Sequence, residues 1–503
     1  MTRTQFLSTT TLLATMFGTS TAWADVTADE VWQSWQDYYS SLGQTIEVGA
    51  TEKQGDTLVL SNVKFTSELP EGKSEGTIPE IRLKEDGAGA VDITMSEEIP
   101  LSMQTDRPGQ GPMNAKLVFA NKGLTLNVSG TPESMNYVYS APELSVSMDE
   151  VGVEGENAPV RMKLTFKGNS GASHVETAGT RAITTSMSAD TLDVALTGAD
   201  PKGEGTFNVT GLFNGLDGKS TMQVPEGVNT KEMSAALVAG MSIAGQFGYQ
   251  DGSYKVEATS PQGSFTADVA SKAGALNFKI ANDGIVYGGE NGESTLSLSG
   301  ASMPFPVEAS IAQSAFNLAM PVAKSETASP AAFMVKLVDF KVSDAVWNMF
   351  DPSVQLPRDP ATLVIDLSGA IRPLIDLFDP KQAESFAAGE DPAAMKPPFE
   401  VSEATINSLL LKAVGVELAG SGKVTFDNTA GAMKPIGAID LSLTGANALM
   451  DKLVAMGFVP QDQIMGAKMM LGLFAVPTGD DALASKIEFK DDGGIYANGQ
   501  RLQ

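Results

Sequence analysis

A mostly β protein is predicted: one long, twisted and curled antiparallel sheet, with a helix at the N-terminus and helices near the C-terminus. Three features of the chain predict it. First, a short phrase of alternating apolar and polar residues closing on Ser or Thr and then Gly recurs six times, ending at Gly130, Gly198, Gly211, Gly300, Gly369 and Gly445. Alternation places every apolar side chain on one face of a strand, and a closing glycine is expected to permit a turn. Second, turn formers such as Gly55-Asp56, Asp86-Gly87 and Asn121-Lys122-Gly123 separate the alternating stretches, as in a meander of hairpins. Third, the period changes from two residues to helical spacing only near the two ends. The phrases are unevenly spaced, which excludes a solenoid or propeller of fixed period.

The first 24 residues read as a signal peptide. Arg3 supplies a positive start, Phe6 to Gly18 a modest apolar stretch, and Ala22-Trp23-Ala24 the small residues needed for cleavage between Ala24 and Asp25. Export to the periplasm follows as the expected location. Threonines and serines interrupt the apolar stretch, and no later run reaches the length of a membrane helix, so no transmembrane segment is expected in the mature chain. After the signal, Thr27 and Glu30 form a T-x-x-E capping box. Val31, Trp35, Tyr38 and Leu42 then share one helical face, and Gly43 is placed to end the helix. This helix is expected to plug one end of the sheet or to touch lipid.

Residues 25–320 form the β-rich sheet region, with pairs such as Leu58/Leu60, Ile81/Leu83, Leu144/Val146 and Leu164/Phe166 marking inward faces. One short helix, roughly Thr230 to Ala239, interrupts it. Residues 321–332, rich in Ala, Ser and Pro, read as a linker or long loop. Residues 333–503 read as β-rich with helical insertions at Asp344–Phe350, Ile371–Phe378, Ala446–Met456 and Gln461–Phe474, and Pro392–Pro398 marks a second break.

Composition narrows the chemistry. The chain of 503 residues has 61 acidic against 34 basic side chains, a formal charge of −27, which argues against nucleic acid and against electrostatic docking on an anionic lipid surface. It has no cysteine, which removes thiol chemistry and Cys metal sites. Its one histidine, His174, lies in the Gly/Ser-rich stretch Asn169–His174 and is expected in a solvated loop. Ser61-Asn62-Val63-Lys64 fits S-x-x-K but lies on an alternating strand, and Gly240–Ala244 misses a nucleophile elbow by its final Ala. Asp480-Asp481 and Asp491-Asp492 sit at Gly-rich turns, where acids act as turn formers more often than as ligands. No catalytic, cofactor-binding or metal-binding residue is therefore assigned, and no cofactor is expected.

The candidate apolar contacts are Trp32 and Trp35 on the first helix and Met450, Met465 and Met469 on the last two. Methionine adapts to irregular apolar partners, although packing of a helical hairpin against the sheet accounts for the same residues. Arg358-Asp359, held between Pro357 and Pro360, is expected to anchor a rigid loop through a salt bridge.

Several segments carry a resemblance. They are Ala24–Thr27 leading into Val31–Trp35, Leu356–Leu363 followed by Ile365–Gly369, Ala446–Phe474, and the closing Gly494–Leu502. Together they resemble an uncharacterised family of exported alphaproteobacterial proteins, domain of unknown function 2125. The strand-rich texture and closing Asn-Gly-Gln-Arg-Leu strand are more loosely similar to the AsmA-like envelope proteins. That second likeness implies a long curled sheet with an apolar groove and a part in moving phospholipid between membranes. The first brings no reaction and no catalytic residues.

The functional expectation is an exported protein that binds phospholipid or another apolar ligand in a groove of the sheet. The alternatives are a non-catalytic structural or interaction protein of the cell envelope, and a carboxylate-dependent hydrolase of an envelope polymer. Whether the apolar face is open or sealed separates the first two.

Overall fold

A computed structural model describes residues 25–69, 72–107, 111–153, 156–199, 204–228, 232–379, 398–428 and 433–503. The segment read as a signal peptide, Ala24 with it, and most of the Pro392–Pro398 break lie outside these residues. The described chain forms one 27-stranded sheet in which every pairing is antiparallel.

The sheet is a meander with two places where a long strand faces two short ones. It opens with β1 (Thr45–Gln54), β2 (Thr57–Leu69) and β3 (Gly72–Glu85). β3 then pairs with both β4 (Ala90–Met95) and β5 (Glu98–Arg107). These pair in turn with β7 (Thr125–Thr131) and β6 (Gly111–Lys122), and both rejoin on β8 (Ser134–Val153). The short β9 (Glu156–Ala158) folds back on β8. The long strands β10 (Arg161–Glu176), β11 (Arg181–Ala199), β12 (Thr206–Val224), β13 (Ser242–Ser260) and β14 (Gly263–Ala281) follow in order. β14 then splits onto β15 (Gly284–Asn291) and β16 (Ser294–Gly300), which pair with β18 (Gln313–Met320) and β17 (Val307–Ile311) and converge on β19 (Ser329–Val342). From there β20 (Ala361–Pro373), β21 (Phe399–Ala413), β22 (Val416–Asp427), β23 (Lys434–Thr444) and β25 (Ala482–Phe489) complete the run. The small strands β24 (Val476–Gly479), β26 (Ile495–Ala497) and β27 (Gln500–Arg501) finish its last edge.

Register aligns the apolar positions of successive strands. One row of directly paired residues runs from Leu58 through Leu83, Ile93, Leu126, Tyr139, Gly171, Met187, Gly218, Phe247, Leu276 and Gly289. It continues through Phe316, Val335, Ile365, Leu409 and Gly420 to Leu441. Every member is apolar or glycine, because a period-2 pattern in register puts all its apolar residues on one face. The opposite face carries exposed ion pairs such as Lys122–Glu143, Lys167–Asp193, Lys272–Glu293 and Lys423–Glu403, each contributing little to stability in water.

The glycines of the repeated phrase do not act as the sequence suggests. Gly445 (φ 76°) and Gly130 (φ 115°) have positive φ. Gly211 and Gly369, by contrast, lie inside β12 and β20, and Gly198 lies near the end of β11. The tertiary reason is close approach. A Cβ at Gly369 would meet the Glu403 carbonyl, and one at Gly198 would meet the Phe207 ring. Aromatic-on-glycine pairs recur down the sheet: Phe65 on Gly76, Tyr139 on Gly171, Phe213 on Gly252, Phe278 on Gly245 and Phe316 on Gly289. Rings laid over glycines cover the backbone without projecting far from it, which keeps the apolar face shallow.

The N-terminal helix α1 (Ala28–Ser41) has its capping box: the Glu30 N–H donates to Thr27 Oγ1 at 3.3 Å, and the Thr27 N–H donates to Glu30 Oε2 at 2.9 Å. The helix reaches from Glu85 and Gly89, at the β3–β4 end, to Arg181 and Met222 on β11 and β12. Ala28 and Tyr38 are roughly 15 Å apart along the helix axis, whereas β3 and β12 would be roughly 29 Å apart in a flat sheet. The first half of the sheet is therefore curled around α1. The main core lies there, formed by Val31, Leu60, Ile81, Leu83, Val91, Ile93, Val128 and Met135 with their neighbours.

The remaining helices among the described residues are α2 (Met233–Val238), α3 (Asp344–Trp347), α4 (Ala446–Ala455) and α5 (Gln461–Phe474). The helix expected at Ile371–Phe378 is absent. β20 continues to Pro373, where Arg372 pairs with Glu400 at 2.8 Å, and only bends and turns follow. The strand pattern beginning at Leu363 outweighs the apolar spacing that suggested a helix. The stretch read as linker, 321–332, already belongs to β19 from Ser329 onward.

Candidate functional site

The apolar face changes character along the sheet. Beneath α1, at Leu60, Ile81, Leu83, Ile93 and Val128, it is buried. Past β12 many of its large side chains are open to solvent. Phe247, Tyr254, Phe265, Tyr287, Phe316 and Phe333 all lie on this face by register, and Tyr287 at 48% and Phe333 at 44% are among the more exposed. Among the described residues the helix beside this stretch is the short α3, against β17, and the six rings stay 37–48% exposed. Several of these rings touch: Phe247 stacks near Phe278 at 6.3 Å, and Tyr287 tilts against Phe316 at 5.2 Å. Exposed apolar area this continuous is uncommon on protein surfaces.

Between α1 and the covered strands lies a cavity of about 660 Å³. Trp32 and Trp35 line it, their rings edge-to-face at 6.3 Å, with Tyr38, Tyr39, Phe65, Phe119, Tyr137 and Tyr139. Burial raises the hydroxyl pKa values of Tyr38, Tyr39 and Tyr137, with Arg181 partly offsetting the effect at Tyr38. The cavity is thus a low-polarity space between aromatic walls.

The structure separates the candidate contacts foreseen in the sequence. Trp32 and Trp35 belong to this cavity, while Met450, Met465 and Met469 belong to the hairpin of α4 and α5 at the far end of the chain. Met465 is 66% exposed and Met469 is 69% exposed, with Met470, Leu473 and Phe474 also open. Packing against the sheet therefore does not account for these two methionines. The helices lean on each other, Lys468 bonds Asp451 at 2.7 Å, and Ile464 is the one buried residue of α5. The open aromatics of β13 to β19 were missed as individual residues. Their signal was an aromatic recurring on the apolar face with glycine on the neighbouring strand, which is visible only once register is known.

The other candidate groups resolve into structural roles. His174 is not in a loop. It lies in β10, pointing away from the apolar face, with Nδ1 2.8 Å from Asn136 Oδ1 and Nε2 3.3 Å from Glu176 Oε1. The Gly/Ser stretch before it is strand because Gly171 makes room for the Tyr139 ring. Asp492 accepts from the Gly494 N–H and the Tyr496 hydroxyl, as a turn former does. Arg358 donates to Asp344 at 2.6 Å, to Asn348 at 2.8 Å and to the Asp351 carbonyl at 2.9 Å, and lies over Trp347. It anchors its loop as expected. Among the described residues no three His, Cys, Asp or Glu side chains cluster to hold a metal. A concavity of about 730 Å³ on the polar face places Asp268, Glu308, Lys255 and Lys341 around one hollow.

Asp481 caps a helix from outside it. Its carboxylate accepts the Asn447 and Ala448 N–H groups at the start of α4, both at 2.9 Å. Burial alone would raise its pKa, but these two N–H groups outweigh it and hold the group below the ordinary carboxylate value. A depressed folded pKa contributes stability above the unfolded value, and that contribution is lost as pH falls through the folded one. Amide exchange in α4 is expected to accelerate below about pH 4. In Asp481→Ala, α4 should be weaker by about 1 kcal/mol at neutral pH, with that acid step gone.

The sequence profile of a family described as uncharacterized protein conserved in bacteria (DUF2125) matches residues 250–502. No curated protein matches the chain. Among solved structures, the ferric citrate transporter FecA in its unliganded form aligns at 8% identity over 91% of this chain and 76% of that one, with a TM-score of 0.17. The chain belongs to the DUF2125 family.

Proposed function

We propose that this DUF2125 protein is an exported, non-catalytic binder of an elongated apolar ligand, a lipid acyl chain above all, held along the open apolar face of its sheet. The supporting observation is the run of solvent-open aromatic side chains from Phe247 to Phe333, in register on one face. Each methylene removed from water contributes about 0.8 kcal/mol, so a shallow face floored by rings and glycines holds an acyl chain without special side chains. The predicted signal segment would deliver such a binder to the periplasm, where acyl chains need shielding.

The test is native mass spectrometry of protein gently released from the periplasm, joined to titration with a dye that fluoresces on apolar surfaces. A retained lipid-sized adduct is expected. Tyr287→Lys or Phe316→Glu should weaken dye binding about tenfold while leaving the fold intact, since both side chains are exposed. Protein that is reproducibly ligand-free, with dye binding indifferent to both changes, would overturn the reading. The open hairpin face of Met465, Met469, Met470 and Leu473 favours a second reading, an interaction protein of the envelope.

A further inference from the structure

We propose that the cavity beneath α1 binds an amphiphile with a single anionic head group, its tail against Trp32 and Trp35 and its head on Arg181. The proposal rests on the reading of the apolar face as a ligand surface and adds the ligand's charge and place.

Arg181 is the first residue of β11 and lies on the apolar face, two positions before Ile183, which lines the same cavity. Its guanidinium donates to Ser34 Oγ at 3.3 Å and lies 5.7 Å from the Tyr38 ring centre. Arg82, Arg358 and Arg372 each meet a carboxylate. Among the described residues Arg181 meets none, and unlike Arg161, which also lacks one but is exposed, it is half-buried and lines a cavity, in a chain where acids outnumber bases 61 to 34. Arg181 and the Tyr38 and Tyr137 rings beside it are half-buried, so water screens the guanidinium less than on an open surface, and a cation–π contact only partly replaces a counter-ion. An anion arriving here gains a charge-assisted bond in a low-polarity setting. Ser34 and Tyr38 offer hydroxyls beside it. The volume of about 660 Å³ lies within the range of small-molecule sites. A free fatty acid and a phospholipid both present this chemistry, one as carboxylate and one as phosphodiester.

Tryptophan emission reports directly, since two of the chain's four tryptophans line the cavity. The purified protein is titrated with laurate, dodecanol, dodecyltrimethylammonium and lauroyl-lysophosphatidylglycerol, each below its micelle concentration. Laurate should bind about tenfold tighter than dodecanol, and the cation weakest. Arg181→Gln should bring laurate down to dodecanol, with dodecanol itself unchanged, which also shows that the variant is folded. Arg181→Lys should keep most of the preference. A lysolipid preference that also disappears in Arg181→Gln assigns the site to phospholipid, and a laurate preference alone assigns it to free fatty acid. Equal binding of laurate and dodecanol, or a preference that survives Arg181→Gln, overturns the proposal and leaves the broader one standing. Failure of dodecanol and of the dye to bind at all removes both.

Discussion

Leu60→Ala should destabilise the protein by about 2–5 kcal/mol, whereas Leu318→Ala on the same apolar face should cost about 1 kcal/mol or less. Leu60 is fully buried, paired directly with Ile81 and packed in the cluster beneath α1. Truncation there removes buried methylenes and leaves a cavity that the packed strands beneath α1 cannot collapse into. Leu318 pairs with Tyr287 and Phe333 but is 36% exposed, so its removal opens no cavity. Chemical unfolding of the two variants, followed by amide exchange in β2 and β18, measures the difference. Equal costs would mean that the second half of the face is sealed in solution, and the ligand reading would lose its basis.

Arg358→Ala is expected to loosen residues 344–360 by about 2–4 kcal/mol of local stability. The guanidinium joins Asp344 and Asn348 in and after α3 to the Asp351 carbonyl, and rests on Trp347. Asp351 is fully buried, and its carboxylate accepts the Gln355 and Leu356 N–H groups at 2.9 and 2.8 Å. Burial would raise the Asp351 pKa, but those N–H groups, with Arg358 and Lys452 nearby, hold it below the usual value. Removing the arginine strips three hydrogen bonds and a ring contact from one loop. Lysine, with one donor head, should restore only part of it. Amide exchange over 344–360 decides the matter. Protection unchanged in Arg358→Ala would show that the flanking prolines alone hold the loop.

Much of the fold was legible because period-2 alternation has a single physical outcome in a sheet. Leu144, Val146 and Met148 alternate, as do Met162, Leu164 and Phe166, and register pairs the two sets on one face. Capping chemistry was equally local, so Thr27 and Glu30 announced α1, and α5 spans the residues expected. Failures came where a distant strand decided a local question. Ile371–Phe378 has helical apolar spacing, but pairing of β20 with β21 keeps its first residues extended. The stretch before His174 looks like a loop until Tyr139 is placed over Gly171.

The sequence by itself determined that the chain is an antiparallel sheet with one apolar face and that α1 begins at a capped Thr27. Both depend on neighbours within a few residues or on strict alternation. Tertiary structure alone decided which part of that face is buried. Whether Leu60 is core and Tyr287 is open depends on where α1 lies, and α1 reaches only as far as β12. Tertiary structure also decided the role of the recurring glycines, because a missing Cβ matters only to the ring or carbonyl that a neighbouring strand brings against it.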